Sequence, residues 1–78
     1  RALIIDLAAV PFLDSTAAHT LESLARKAGQ RHVRVYVTGA SHDILKALFA
    51  HEIKPPLVHI ERTPEDALRK LRRAASGG

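Results

Sequence analysis

Two neighbouring hydroxyls follow an acid at Asp14-Ser15-Thr16, directly before a run of apolar residues with helical spacing. The first backbone N–H groups of a helix lack intrahelical partners and carry a partial positive charge. Asp14 or Ser15 can cap these groups, which is worth about 1 kcal/mol. A hydroxyl at this position is also a good phosphate acceptor, because the added negative charge faces the positive end of the helix dipole. The tripeptide is therefore a predicted helix cap, and a phosphorylation switch is the second interpretation.

Catalysis by the same residues is not favoured. A Ser-His-Asp triad can be written from Ser15, His19 and Asp14, but His19 lies four residues along the same helix and projects along it. Ser15 also lacks the flanking glycines of a G-x-S-x-G nucleophile elbow. A phosphate-ester hydrolase with Asp14 as nucleophile is the remaining enzymatic hypothesis, and we rank it last because Asp14 is not part of a D-x-[DN] pair. We predict that the chain is not an enzyme.

The sequence shows none of the usual cofactor or metal motifs. There is no G-x-G-x-x-G after a strand and no G-x-x-x-x-G-K-[ST] loop, so dinucleotide and P-loop nucleotide binding lose their main support. The five histidines do not show H-E-x-x-H spacing, and there is no cysteine to complete a zinc site. We predict no metal and no cofactor.

The composition fits one small domain with an aliphatic core, because the 78 residues contain no Trp, Met or Cys. The net charge is +4, and positive charge gathers near the C-terminus, at Arg62, Arg69, Lys70, Arg72 and Arg73. The simpler interpretation is a solvated helix face whose cations complement the helix dipole, and the second is a surface that faces anionic lipid. Nucleic acid is not a predicted partner, because stacking aromatics and a recognition motif are missing. No apolar run approaches the roughly 20 residues that span a bilayer.

Hydrophobic periodicity predicts three strands that alternate with three helices. The strands are the apolar run RALIIDL, the alternating run HVRVYVT and the short LVHI. Ser41 and Thr63 are the predicted caps of the second and third helices. Gly29 is the predicted stop of the first helix, and Pro55-Pro56 of the second.

Each predicted helix has an apolar face that can pack on a sheet. The residues of these faces are Ala17, Leu21, Leu24, Ala25 and Ala28 in the first helix, Ile44, Leu45, Leu48 and Phe49 in the second, and Ala67, Leu68, Leu71 and Ala75 in the third.

The β-α-β-α-β-α order predicts an α/β fold in which mainly parallel strands are joined by right-handed crossovers and helices pack on the sheet. RALIIDL is almost continuously apolar, which is typical of a strand buried on both faces and paired on both edges. We therefore expect the sheet to be completed by N-terminal strands that this chain lacks. The domain is expected to span residues 1–75, followed by a flexible tail at 76–78.

The run IIDLAAVPFLDSTAAHTLESLARKA, followed by VRVYVTGA, closely resembles the STAS domain (sulphate transporter and anti-sigma factor antagonist). The similarity consists of a strand that ends in Asp6, then V-P-F-L-D-S-T, a helix, a V-x-V-x-V strand and a glycine turn. It extends over nearly the whole chain and implies a STAS-like fold.

Two branches of the family give different expectations. In anti-sigma factor antagonists the motif reads D-S-[ST]-G, and a partner kinase phosphorylates the second hydroxyl. That pattern implies Thr16, or else Ser15, as the acceptor, although Ala17 replaces the glycine. In SulP anion transporters a STAS domain forms the cytoplasmic C-terminus, and D-S-T-A-A and a P-P pair before the last strand are familiar there. LDSTAAHTLE and KPPLVHI are more similar to the SulP branch.

The resemblance implies a non-catalytic regulatory and interaction domain of a sulphate-class anion transporter, on the cytoplasmic side of the inner or plasma membrane. A soluble anti-sigma factor antagonist is the alternative. The expected partners are the transmembrane domain of the parent transporter, other proteins or a second copy, and a nucleotide is one further candidate ligand. The surface expected to contact partners or anions is a rim formed by Asp14, Ser15, Thr16, Gly39, Ala40 and Ser41.

Overall fold

Three parallel strands alternate with three helices in residues 1–76, the part of the chain that the computed structural model describes. The order is β1 (Ala2–Asp6), α1 (Ser15–Gln30), β2 (Arg34–Thr38), α2 (His42–Ala50), β3 (His59–Glu61) and α3 (Pro64–Ser76). The predicted α/β class and the predicted element order are confirmed. Helix α3 continues through Ser76, which the sequence placed in the tail, and residues 77 and 78 lie outside the described residues.

The sheet has the order β1-β2-β3, with β2 in the centre. Asp6 pairs with Thr38 and Thr38 with Glu61, so the carboxyl ends of all three strands lie at one edge. The expectation that β1 is buried on both faces is wrong for residues 1–76, because Leu3, Ile4 and Ile5 are only half-buried. In this part of the chain β1 is an edge strand, paired with β2 alone. The additional N-terminal strands stay a prediction.

The core lies between one face of the sheet and helices α1 and α2. Val35 and Val37 on β2 pack with Leu21 of α1 and with Ile44 and Leu48 of α2. Successive side chains of a strand point to opposite faces. The alternate residues Tyr36 and Thr38 therefore face α3, which contacts all three strands and buries Ala67 completely. The ring of Tyr36 stacks on His59 at a centroid distance of 4.7 Å.

Four residues of the predicted apolar faces are exposed instead of buried. They are Ala17, Leu24, Phe49 and Leu68. Each is the direct neighbour of a buried residue (Ala18, Ala25, Leu48 and Ala67, respectively) and therefore lies about 100° around its helix from the buried row. The sheet contacts a narrower stripe of each helix than the sequence pattern indicates. The side chain of Ala75 lies outside the described residues.

The predicted helix stops are wrong for both α1 and α2. Helix α1 passes through Gly29 and ends where His32 adopts φ 60°, while α2 ends at Ala50, before either proline, and Glu52 adopts φ 63°. The N–H groups that follow these left-handed residues return to the helix: Val33 N donates to Ala28 O at 2.8 Å, and Ile53 N donates to Leu48 O at 2.8 Å. Both helices thus end in Schellman motifs without glycine.

The predicted strand LVHI is shorter in the structure, where β3 begins at His59. Leu57 N and Val58 N donate to Lys54 O at 2.9 and 3.4 Å, so this segment turns back on itself before the strand starts. Its apolar side chains still contribute to the core, because Val58 is fully buried.

Candidate functional site

Helix α1 begins directly after Asp14, which is its N-cap. The residue has extended backbone angles (φ −85°, ψ 173°), and its Oδ1 accepts a hydrogen bond from Ala17 N at 2.7 Å. The carbonyl of Asp14 accepts the first intrahelical bond, from Ala18 N at 2.9 Å. The structure therefore assigns to Asp14 the cap that the sequence left open between Asp14 and Ser15.

Because Asp14 provides the cap, the two hydroxyls that follow it are available. Ser15 and Thr16 occupy the first two positions of α1, and both are exposed. Neither side-chain hydroxyl makes a hydrogen bond within residues 1–76, whereas the carbonyl of Thr16 accepts a hydrogen bond from the hydroxyl of Thr20 at 3.0 Å. Both hydroxyls can donate to a partner, accept from it, or take a phosphate.

The second half of the predicted rim follows β2. Gly39 turns the chain with φ 71°, and its N–H donates to Arg62 O, just after β3, at 3.0 Å. Ala40 is half-buried against the core. Ser41 caps α2, because its Oγ accepts from Ile44 N at 3.2 Å, and the predicted cap is confirmed.

The two halves lie at the same end of the sheet. Helices α1 and α2 start after the carboxyl ends of the neighbouring parallel strands β1 and β2, and both pack on the core face. Asp6 and Thr38 connect the strand ends, because Asp6 Oδ1 accepts from Ala8 N at 3.1 Å and from Thr38 Oγ1 at 3.4 Å. We call residues 14–16 and 39–41 the carboxyl-end rim. In parallel α/β folds ligands usually bind at this edge of the sheet.

Phe12 is a prominent surface residue that the sequence reasoning did not assign. Its side chain is 70% exposed, two residues before Asp14, whereas Val10 and Leu13 on either side pack against the core. Large aromatic side chains, including phenylalanine, are enriched in protein interfaces. The sequence signal that could have indicated this is the run V-P-F-L, because a short loop cannot bury all three of its large apolar side chains.

The geometry does not assemble the triad considered from the sequence. His19 Nδ1 lies 3.9 Å from Glu22 Oε1, and no hydrogen bond joins His19 to Ser15. Asp14 uses Oδ1 in the helix cap. Within residues 1–76 no three His, Asp or Glu side chains are placed to hold a metal ion.

A comparison with models of protein families identifies the family to which this chain belongs. The family model for the STAS domain matches residues 1–67, which include all three strands, α1, α2 and the whole carboxyl-end rim. The chain belongs to the STAS domain family. STAS domains are typically non-enzymatic and mediate protein–protein interactions, which agrees with the exposed hydroxyls of Ser15 and Thr16 on the rim. A comparison with curated proteins finds no significant match. No helix in the described part of this STAS domain has the length and apolar content needed to cross a membrane.

Proposed function

We propose that this STAS domain is the cytoplasmic regulatory and interaction domain of a SulP-type transporter of sulphate-class anions. The observation that carries the interaction role is the pair of exposed hydroxyls of Ser15 and Thr16, which make no hydrogen bond within residues 1–76 and lie close in sequence to exposed Phe12. The D-S-T-A-A motif and the Pro55-Pro56 pair before β3 favour the SulP branch.

In this proposal the carboxyl-end rim, together with the adjacent Phe12, is the recognition surface of the domain. Phe12 would enter an apolar pocket of a protein partner, and the hydroxyls of Ser15 and Thr16 would fix its orientation through hydrogen bonds. The partner can be a cytoplasmic protein or a second copy of the domain, and the first turns of α1 and α2 offer N–H groups to a nucleotide phosphate. The transmembrane domain of the parent transporter would hold the domain at the cytoplasmic side of the membrane.

The gene context tests the choice of parent protein. We expect the reading frame that encodes this chain to continue upstream through many apolar segments of about 20 residues, each long enough to span a bilayer. A reading frame that encodes a free-standing soluble domain would remove the transporter from the proposal and leave the interaction rim in place.

A soluble anti-sigma factor antagonist is the second candidate, because the same two hydroxyls are open to a kinase. This candidate predicts that a cognate kinase adds phosphate to Thr16, or else to Ser15, detected as a mass shift of the intact chain. Thr16→Ala and Ser15→Ala, tested separately, identify the acceptor, and Thr20→Ala is the matched control, because the hydroxyl of Thr20 is bonded to Thr16 O. A wild-type chain that takes up no phosphate, or a Thr16→Ala/Ser15→Ala double variant that behaves as wild type, would remove this candidate.

A further inference from the structure

The amino-terminal end of the sheet carries a group of cations that have no ion-pair partner among residues 1–76. Arg1 precedes β1, Lys27 lies in the last turn of α1, Arg31 is its C-cap and Arg34 opens β2. All four are exposed, and Arg34 N donates to Arg1 O at 3.1 Å, which holds the two chain segments together. We call these four residues the amino-end basic surface.

No carboxylate pairs with this surface within residues 1–76, and the same holds for Lys46 and Arg62, whereas Arg26, Lys54, Arg69 and Lys70 are in ion pairs. Arg26 lies 2.9 Å from Glu22, Arg69 lies 3.1 Å from Asp66, and Lys70 lies 3.1 Å from Glu61. Among the late cations singled out in the sequence, Arg69 and Lys70 are therefore partly neutralised. The structure therefore indicates a basic surface at the C-terminal end of α1 and the N-terminal end of β2, instead of on α3.

The acids gather at the other end of the domain. Six of the eight are the last residues of strands, the N-cap of α1, or residues in the first turns of α2 and α3 (Asp6, Asp14, Asp43, Glu61, Glu65 and Asp66). Of the other two acids, Glu52 follows the end of α2 at the amino end of the sheet, where it pairs with Lys54 at 3.6 Å. Since strands and helices run in opposite directions between the two ends, the domain is electrically polar. Its acidic end contains the carboxyl-end rim, and its basic end faces away from it.

Aliphatic side chains lie among the cations of the basic end. Arg1 and Arg34 line an open cavity of about 300 Å³ together with Leu71, and Lys27 and Arg31 line a second cavity with Leu24, which is 44% exposed. Neither cavity has a Phe, Tyr or Trp side chain in its lining. Cations interspersed with leucine are typical of surfaces that bind anionic membranes, whereas single-stranded nucleic acid is bound by stacking on aromatic rings.

We propose that the amino-end basic surface binds the anionic face of a lipid bilayer. The domain then stands on the membrane with its carboxyl-end rim directed toward the cytoplasm, so that lipid and protein partners use opposite ends. The inference rests on the charge distribution and does not require the rim to have the partner proposed above.

Sedimentation with vesicles tests this inference. We expect the chain to bind vesicles made of equal parts phosphatidylcholine and phosphatidylglycerol, and not vesicles of phosphatidylcholine alone. Each cation near such a surface strengthens binding about fivefold, so the triple variant Lys27→Gln/Arg31→Gln/Arg34→Gln should bind roughly a hundredfold more weakly. Raising the salt concentration should weaken wild-type binding, because exposed charges are screened.

A matched triple variant separates location from net charge. Lys46→Gln/Arg62→Gln/Arg69→Gln also lowers the formal charge from +4 by three, to +1, but removes cations away from the amino end. We expect it to retain binding within about fivefold of wild type. Equal losses in both triples would overturn the proposal, because net charge alone would then explain binding.

Misfolding and a preference for a different ligand are checked by separate measurements. Far-UV circular dichroism should show both triple variants folded. The double variant Lys27→Gln/Arg31→Gln, which leaves β2 unchanged, should still weaken vesicle binding about 25-fold.

Fluorescence anisotropy with duplex DNA and light scattering of the free chain test for a different ligand and for self-association. Binding to DNA, or association of two copies, that depends on these cations while anionic vesicles are not bound would contradict a membrane surface. Replacing Ser15 and Thr16 should leave vesicle binding unchanged.

Discussion

Gly39→Ala should destabilise the domain by about 2–5 kcal/mol. The left-handed backbone at φ 71° disfavours any side chain by about 1–2 kcal/mol, and a crowded site adds about 1–3 kcal/mol. A Cβ at this position would lie 2.6 Å from Asp6 Oδ1 and 2.9 Å from Ala8 Cβ. The carboxylate cannot move away freely, because Ala8 N and Thr38 Oγ1 donate to the same oxygen.

Gly29→Ala is the matched control for this substitution. Gly29 lies inside α1, and a Cβ there meets nothing within 4 Å, so alanine should be neutral or stabilise the fold by up to about 1 kcal/mol. Urea unfolding, followed through the fluorescence of the single tyrosine Tyr36, measures both variants. If the Gly39→Ala variant unfolds at the same urea concentration as wild type, the turn between β2 and α2 does not hold position 39 in a left-handed conformation against Asp6.

Leu48→Ala should cost about 2–5 kcal/mol, because the side chain is fully buried between α2 and the sheet and its removal leaves a cavity. A domain of 78 residues is expected to be stable by only about 4–12 kcal/mol, so the loss is a large fraction of the total. Leu24→Ala makes the same chemical change on α1 at a side chain that is 44% exposed, and should cost about 0.5–1 kcal/mol. Similar unfolding midpoints for the two variants would contradict the assignment of the core.

The starts of the helices could be predicted from the sequence, but their ends could not. Ser41 and Thr63 cap α2 and α3 as expected, because capping depends on a hydroxyl and on N–H groups only three residues away. The ends depend on distant contacts. Ile53 is fully buried, and Val33 is half-buried, so the chain accepts left-handed Glu52 and His32 in order to turn these apolar side chains inward. Residue propensities alone predicted that α1 stops at Gly29 and that α2 stops at Pro55-Pro56.

The same distinction applies to the candidate site. The Asp14-Ser15-Thr16 motif and the glycine turn could be placed at one edge of a parallel sheet from element order alone. Two features required coordinates: the cap could be assigned to Asp14 only from its bond to Ala17 N, and Phe12 could be recognised as exposed only once Val10 and Leu13 were seen to occupy the core. The basic end was not predicted from the sequence, because Arg1 is far in the chain from Lys27, Arg31 and Arg34 and is brought to them only by the pairing of β1 with β2.

Thiol labelling in the full-length parent protein is the most direct test of the carboxyl-end rim as the recognition surface. This chain has no cysteine, so once any cysteines elsewhere in the parent are replaced, Phe12→Cys and Phe49→Cys each provide a single thiol at an exposed phenylalanine position, next to the rim and on α2 respectively. We predict that the thiol at position 12 reacts with a maleimide at least about tenfold more slowly in native membranes than in the isolated domain, since partner anchors are buried in interfaces. The thiol at position 49 should react equally in both. Equal reaction rates for Phe12→Cys in membranes and in the isolated domain would contradict the rim as the recognition surface.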